Sequence, residues 1–280
     1  FGQALHFMLV DEKMKEKLGV KESTSAWRNK NIEKKINDFT MVKNDNWIAG
    51  VSNFKFRPRP EGHFTFDHQN LLSLYHTEFG EIFGGQNSKN DPEISFFSKF
   101  MTTFDGDPVT KPMPKYIPGN GKVKFQDNVL SVERDYRGFE GCFSLTFKDA
   151  NHLELSLSAR ARAEEYPIQC NLILPCGSEK PFYDAQQKQI PLDETSKELT
   201  NKEVGNFICF PEFKAPHLLE KGKNKKLMIS VPKEATIQWP FKPWDTYNGV
   251  SDRELLPKKW YCVMHINLTH EPIKLNIEIV

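Results

Sequence analysis

The sequence of 280 residues lacks the short motifs that mark several common enzyme classes. It contains no GxSxG nucleophile elbow, no P-loop and no GxGxxG run followed by a helical pattern. These absences weaken hydrolase, NTPase and dinucleotide-binding interpretations. No HxxxH or CxxC spacing occurs either. Because metal centres are usually built on such spacings, the sequence predicts no metal site, and nothing in it calls for a cofactor.

An excess of charge of one sign is also missing. The 38 Lys and Arg residues nearly balance the 37 Asp and Glu residues, which gives a net charge of +1. A nucleic-acid-binding protein normally carries a concentrated basic footprint, so no nucleic-acid partner is expected, although a charged local groove remains compatible with this balance.

Long hydrophobic runs are absent as well. No apolar run reaches the length of a membrane-spanning helix, so no span is predicted. The amino terminus has no basic leader and no small-residue cleavage site, and it begins with Phe1. We expect the chain to be a mature or excised piece of a longer protein, with any targeting segment upstream.

Cysteine is sparse, with five residues at positions 142, 170, 176, 209 and 262. An odd number leaves at least one thiol free in a monomer. We expect these side chains to behave mostly as small buried hydrophobic groups.

Short β-strand patterns fill most of the chain. From about residue 38 onward, roughly fifteen segments of β-compatible residues alternate with turn-forming Gly, Pro, Asn and Asp. With 22 phenylalanines available for a core, this spacing predicts an all-β fold, a large antiparallel β-sandwich over residues 38–280. Residues 1–37 are predicted to be a helical linker or the remnant of an upstream helical domain. Within them, 3–18 has a helical pattern, and 29–36 is expected to be a short helix or an irregular linker.

The stretch 64–95 contains the strongest strand signal and the densest cluster of His, Asp and Gln. Residues 70–76, NLLSLYH, carry apolar side chains at both alternating positions, which predicts a strand covered on both sides. A turn at 78–80 and a return strand at 81–83 complete a β-hairpin. Along a straight strand, His68 and His76 would be about 27 Å apart, so they cannot share one site without a bend.

Candidate chemical residues cluster in this stretch and in the segment 134–138. His68, Tyr75, His76 and Tyr136 are candidate general acids or bases, and the Arg137 guanidinium could clamp a carboxylate. The alternatives are a hydrogen-bonded structural histidine, an exposed histidine and a surface turn with an Arg–Asp pair. Asp67, Gln69 and Asn70 supply the directed donors and acceptors that sugar hydroxyls require, or they are ordinary polar residues at a strand end.

The segment 239–249 interleaves aromatic residues with prolines. Trp239, Trp244 and Tyr247 could stack on sugar rings, or they could cover an open end of the sheet. The flanking Pro243 and Asp245 favour a loop, whereas the density of apolar neighbours favours burial.

Three segments carry a resemblance to a known group of proteins: NLLSLYHTEFGEIFGGQNSKNDPE, YRGFEGCFSLTF and WPFKPWDTYN. With the helical entry and the Phe/Leu-rich strands of residues 39–268, the chain resembles the β-supersandwich that forms the C-terminal part of heparinase II/III-like and hyaluronate-lyase-like polysaccharide lyases. The last segment also resembles uncharacterised bacterial proteins of this build.

The resemblance implies an (α/α) toroid upstream of the sandwich, a cleft between the two, and a polysaccharide or oligosaccharide partner. It implies β-elimination at a uronic acid and, with that activity, a periplasmic or secreted location. The alternative from a different class is a non-catalytic carbohydrate-binding or structural β-sandwich module.

Overall fold

The structure, a computed structural model, describes residues 31–36, 39–53, 70–84, 119–135, 139–162, 168–177, 182–191, 197–210, 225–241 and 259–280. Within these residues, the regular structure consists of sixteen β-strands and one turn of helix. The strands are β1 (Ile32–Ile36), β2 (Phe39–Asn44), β3 (Trp47–Ser52), β4 (Asn70–His76), β5 (Gly80–Gly84), β6 (Lys122–Gln126), β7 (Val129–Asp135), β8 (Phe139–Phe147), β9 (His152–Ala161), β10 (Ile168–Gly177), β11 (Lys197–Thr200), β12 (Phe207–Phe210), β13 (Leu227–Ser230), β14 (Ala235–Phe241), β15 (Lys259–Leu268) and β16 (Ile273–Ile279), and the helix is α1 (Asn201–Val204).

The strands form three antiparallel sheets. The N-terminal sheet has the order β1-β2-β3-β4-β5, the four-stranded sheet the order β10-β15-β14-β11, and the seven-stranded sheet the order β12-β13-β16-β9-β8-β7-β6. Strands β10 and β15 pack against β9, and the edge strand β5 lies beside the edge strand β10. One hydrophobic core connects residues of all three sheets. The predicted all-β antiparallel sandwich is therefore confirmed.

Local sequence explains why the hairpins form where they do. In β9, Leu153, Leu155 and Leu157 are buried while the residues between them are more exposed, which is the alternation of a strand with one face on the core. The β6–β7 hairpin turns at Asp127 and Asn128, both with positive φ. Two-residue hairpin loops require this conformation, and Asp and Asn adopt it readily. The turn-forming residues at 127–128 and 149–151 thus lie in the loops of two hairpins, β6–β7 and β8–β9.

Leu71, Leu74 and His76 are all buried on one face of β4. The register shift between Gly50 and Val51 is a bulge in β4, and it puts Leu71 on the same face as Leu74 and His76. On the other face Ser73 and Tyr75 are half-buried, so only one face is fully covered, whereas the apolar pattern predicted cover on both. The return strand after the turn is β5, and a register shift interrupts its pairing with β4 between Leu74 and Tyr75.

One local expectation is wrong. Residues 32–36 form the edge strand β1, paired with β2 from Ile32↔Lys43 to Ile36↔Phe39, and not a helix or an irregular linker. Pairing with the neighbouring strand supplied structure that the weak local pattern did not signal. The polar residues 177–205 predict a loop-like segment with a small hairpin. In its described part Tyr183 pairs with Gln189 as in a small hairpin, and β11 and α1 add regular structure. The helix predicted over 3–18 lies outside the described residues.

Candidate functional site

His76 is built into the interior of the molecule. Its side chain has no exposed surface. The Nε2 atom lies 2.8 Å from the carbonyl oxygen of Ala150, and Nδ1 accepts a hydrogen bond of 3.2 Å from the backbone N–H of Glu78. The ring also meets the Trp47 indole edge-on, with 4.8 Å between ring centroids. Because both nitrogens are engaged by backbone groups, this geometry favours the structural alternative over an acid–base role.

Tyr75 lies on the same strand as His76 but on its opposite face. Tyr75 is half-buried and pairs in register with Ile48, whereas His76 pairs with Trp47. Consecutive residues of a strand point to opposite faces, so Tyr75 and His76 cannot act on one substrate from the same side. Asn70 opens β4 opposite Ser52.

Trp239 is a core residue, which corrects its prediction as a sugar-stacking platform. It is 3% exposed, and its ring packs edge-on against Phe182, with 5.0 Å between centroids and an interplanar angle of 87°. Its Nε1 donates to the carbonyl of Pro191 at 3.0 Å. A ring packed in this way has no open face to present to a sugar.

The remaining predicted residues lie outside the part of the chain that the structure describes, and they stay predictions. They are His68, Asp67, Gln69, Tyr136, Arg137, Trp244 and Tyr247.

Arg134 and Asp135, three and two residues before Arg137, are described, and they contact different residues. Arg134 is 5% exposed and lies over the ring of Phe139, with 5.7 Å from the guanidinium carbon to the ring centroid. Asp135 instead accepts a hydrogen bond from Arg162 Nη2 at 2.6 Å. Strand alternation explains this separation, because it sends Arg134 inward and Asp135 outward.

Arg134 has room inside the sandwich because its neighbours across the sheet are small. Gly141 pairs with Arg134 on one side and with Ala159 on the other. A long cationic side chain at an inward position is compatible with the core only where such space exists and the ring of Phe139 covers it.

A polar strip that the sequence analysis did not identify lies on the four-stranded sheet. Ile237, Met264 and Ile266 on β14 and β15 belong to the core. The residues between them have the opposite strand parity and so face away from it. They include Thr236, Gln238, His265 and Asn267, which we call the polar strip.

The strip is organised by a hydrogen bond between two strands. His265 Nε2 donates to Gln238 Oε1 at 3.1 Å, and Thr236 stands opposite His265 in register. His265 is 7% exposed, Thr236 and Gln238 are half-buried, and Asn267 is exposed. The strip thus combines an imidazole with amide and hydroxyl groups, which can donate and accept hydrogen bonds.

A sequence signal for the strip existed but was weak. Thr236 and Gln238 on β14, and His265 and Asn267 on β15, are polar residues at alternating positions within otherwise apolar strands. Sequence alone does not pair β14 with β15 in the register that brings Gln238 to His265.

Within the described ranges, no group of three or more His, Cys, Asp or Glu side chains is arranged to hold a metal ion. The described residues also include no helix that is both long and apolar enough to cross a membrane. Cys170, Cys209 and Cys262 are buried free thiols and Cys142 is a half-buried one, as their expected role as small hydrophobic groups requires.

No protein-family model and no curated protein matches the sequence. Among solved structures, the fold is similar to a protein described as a mutarotase from Salmonella typhimurium, with 13% identity, 89% of this chain and 93% of that chain covered, and a TM-score of 0.44. It is also similar to heparinase III, with 12% identity, 90% and 37% coverage and a TM-score of 0.45. The heparan sulfate lyase HepC of Pedobacter heparinus is 11% identical, with 95% and 40% coverage and a TM-score of 0.43.

The chain therefore spans about 40% of the HepC chain and 37% of the heparinase III chain. Structural neighbours thus include polysaccharide lyases and a mutarotase-like protein. Likeness at this level of identity and TM-score is distant, and the proposals below do not rest on it.

Proposed function

We propose that the chain is the β-sandwich part of a polysaccharide-lyase-like protein that acts on uronic-acid-containing glycans by β-elimination. The observation that supports this most is the polar strip, in which the buried imidazole of His265 is held by the Gln238 amide on the face of the sheet opposite the core. Sugar hydroxyls are recognised by directed donors and acceptors, and β-elimination needs a group that accepts a proton. The strip contains both kinds of group on neighbouring strands.

The position of the strip supports the proposal further. The connection between β14 and β15 leaves the sheet at Phe241 and returns at Lys259. It therefore begins three residues after Gln238, about 10 Å along an extended strand. This connection contains Trp244 and Tyr247, the remaining predicted stacking residues. Aromatic residues close in sequence to hydrogen-bonding side chains are a common composition for sugar binding.

In the proposed reaction, a base removes the proton at C5 of the uronic acid, the C4–C5 double bond forms, and the C4–O bond breaks as the leaving oxygen takes up a proton. Because His265 Nε2 donates to Gln238, Nδ1 is the basic nitrogen of this tautomer. His265 joins the candidate bases and acids His68, Tyr75 and Tyr136. Arg137 is the candidate that neutralises the substrate carboxylate.

The test is ultraviolet absorbance of the unsaturated product, with a panel of uronic-acid polymers and the full-length protein. We expect one polymer to give product and His265→Gln to lower its rate by at least tenfold. The control is His270→Gln, because His270 lies in an exposed loop and pairs with Glu271. If no polymer in the panel gives an unsaturated product, the lyase proposal is wrong.

A second candidate function is a non-catalytic carbohydrate-binding module. The engagement of both His76 nitrogens by backbone groups favours it, because it removes one predicted acid–base residue from chemistry. A glycan array should then show binding without turnover. In that case Trp244→Ala should weaken binding and barely change the melting temperature. A large drop in melting temperature with unchanged affinity per folded molecule would show that Trp244 only covers the sheet end.

A further inference from the structure

The end of the N-terminal sheet is fastened to the hairpin loops of the seven-stranded sheet by side-chain hydrogen bonds. We call this contact the sheet–loop joint. Asn44 Nδ2 donates to Asn128 Oδ1 at 2.9 Å, Trp47 Nε1 donates to the Asp149 carbonyl at 2.9 Å, and His76 Nε2 lies 2.8 Å from the Ala150 carbonyl oxygen. Two consecutive carbonyls of one loop are thus held by two side chains of the other sheet.

The hydrogen bonds of His76 define its protonation state. A backbone N–H, that of Glu78, points at Nδ1, so Nδ1 must be an unprotonated acceptor. The carbonyl of Ala150 can only accept, so Nε2 carries the proton. The two hydrogen bonds of His76 therefore require a neutral imidazole. A second proton would place an N–H at Nδ1 against the N–H of Glu78, and one of the two contacts would have to break.

The surroundings of the ring also oppose a positive charge. Burial lowers the pKa of His76 below its ordinary value, and Lys225 acts in the same direction, while the Ala150 carbonyl, Glu78 and the Asn151 side chain oppose the shift. Lys225 and Glu78 form an ion pair of 3.4 Å, which offsets much of the influence of each. On the loop side, the titratable groups are Asp149 and His152, which pair with each other through His152 Nδ1 and Asp149 Oδ2, 2.7 Å apart.

We propose that His76 makes the sheet–loop joint acid-sensitive, so that protonation of its ring opens the joint while the sandwich core stays folded. The proton enters at Nδ1, the Glu78 N–H loses its acceptor, and the charged ring leaves its buried position for water. Withdrawal of the ring also removes the edge contact that holds the Trp47 indole. The loop at 149–151 then loses its hydrogen bonds to the N-terminal sheet.

The pH window follows from the direction of the shift. A histidine whose pKa is lower in the closed joint binds its proton more readily in the open one. The closed joint is therefore favoured at neutral pH and loses stability as the pH falls below about 6.5, the ordinary histidine value. The opening equilibrium should rise by up to tenfold per pH unit, until the pH passes the lowered pKa of the closed state.

Hydrogen exchange followed by NMR on the whole chain tests this proposal between pH 7.5 and 5.5. After correction for intrinsic rates, protection of the Glu78 amide and the Trp47 indole N–H should fall by up to tenfold per pH unit below 6.5. Protection of the Leu155 amide, in the central strand β9, should stay constant. The ring resonances of His76 should titrate below pH 6.5, and the Glu78 amide shift should follow the same curve.

Two variants identify the titrating group. His76→Gln keeps a donor near the Ala150 carbonyl but cannot titrate, so exchange at Trp47 should become independent of pH. His152→Gln removes the exposed histidine of the same loop and should leave the pH dependence as in the wild type. The proposal is overturned if His152→Gln abolishes the dependence or His76→Gln retains it. Loss of Leu155 protection in step with Glu78 would also overturn it, because that result means global unfolding. If His76→Gln does not fold, the wild-type ring titration decides: a His76 pKa at or above 6.5 contradicts the proposal.

Discussion

Gly141 on β8 is a position where one added methyl group tests how tightly the seven-stranded sheet is packed. An alanine Cβ at this position would lie 2.6 Å from the carbonyl oxygen of Ser158 and 3.1 Å from Cα and Cβ of Ala159. Both neighbours belong to β9, which pairs with β8 through Gly141↔Ala159 and Cys142↔Ser158. Because the obstructing oxygen is part of the backbone, it cannot swing aside as a side chain would.

The expected cost of Gly141→Ala can be worked from these distances. Carbon and carbonyl oxygen approach to about 3.3 Å in sheets, so the strands must separate locally by roughly 0.7 Å. Forcing an extra methyl group into a packed site costs about 1–3 kcal/mol. Alanine regains about 0.5–1 kcal/mol relative to glycine in a strand, because it has less backbone freedom to lose. The midpoints of these ranges leave a net loss in unfolding free energy of about 1 kcal/mol, and the melting temperature should fall by roughly 2–4 °C.

Gly50→Ala is the matched control, because it adds the same methyl group to a strand. Its Cβ would lie 2.9 Å from Ser73 Oγ, the end of a side chain that can rotate away. We expect its unfolding free energy to stay within about 0.5 kcal/mol of the wild-type value. Urea denaturation of both variants provides the measurement. The reasoning is refuted if Gly141→Ala is as stable as the wild type, or if Gly50→Ala loses more.

Three further variants test other contacts. Trp239→Phe keeps an aromatic ring in the core but leaves the Pro191 carbonyl without its donor, so urea denaturation should show a loss of about 1–3 kcal/mol; an unchanged midpoint would contradict this. Arg134→Lys replaces the planar guanidinium over Phe139 with a compact ammonium. Calorimetry should show a loss of about 1–2 kcal/mol in unfolding free energy. An unchanged melting temperature would contradict this. Glu154→Gln should change the unfolding free energy by less than about 1 kcal/mol, because its partners Lys148 and Lys274 are 50% and 64% exposed. The difference in unfolding free energy should shrink in 1 M salt. A larger or salt-independent difference would contradict this expectation.

Local sequence patterns specify the fold class and most hairpins. Alternation of apolar and polar residues in β8 and β9 is a local property, and so is the turn chemistry of Asp127 and Asn128. Each of these signals acts within a few residues and so could be read without knowing the strand order. Strand β1 could not be read in this way, because its exposed residues Glu33, Lys34 and Lys35 form a strand only through pairing with β2.

The roles of individual side chains depend instead on long-range packing. His76 resembled a catalytic candidate in sequence, but its partner is the carbonyl of Ala150, 74 residues away. Trp239 resembled a stacking platform, but Pro191 and Phe182 enclose it in the core. The hydrogen bond of His265 could not be predicted locally either, because its amide partner Gln238 lies 27 residues away on a neighbouring strand. The physical reason is common to all three: local pattern sets which residues form a strand, whereas burial and hydrogen-bond partners depend on which distant strands pack together and in which register.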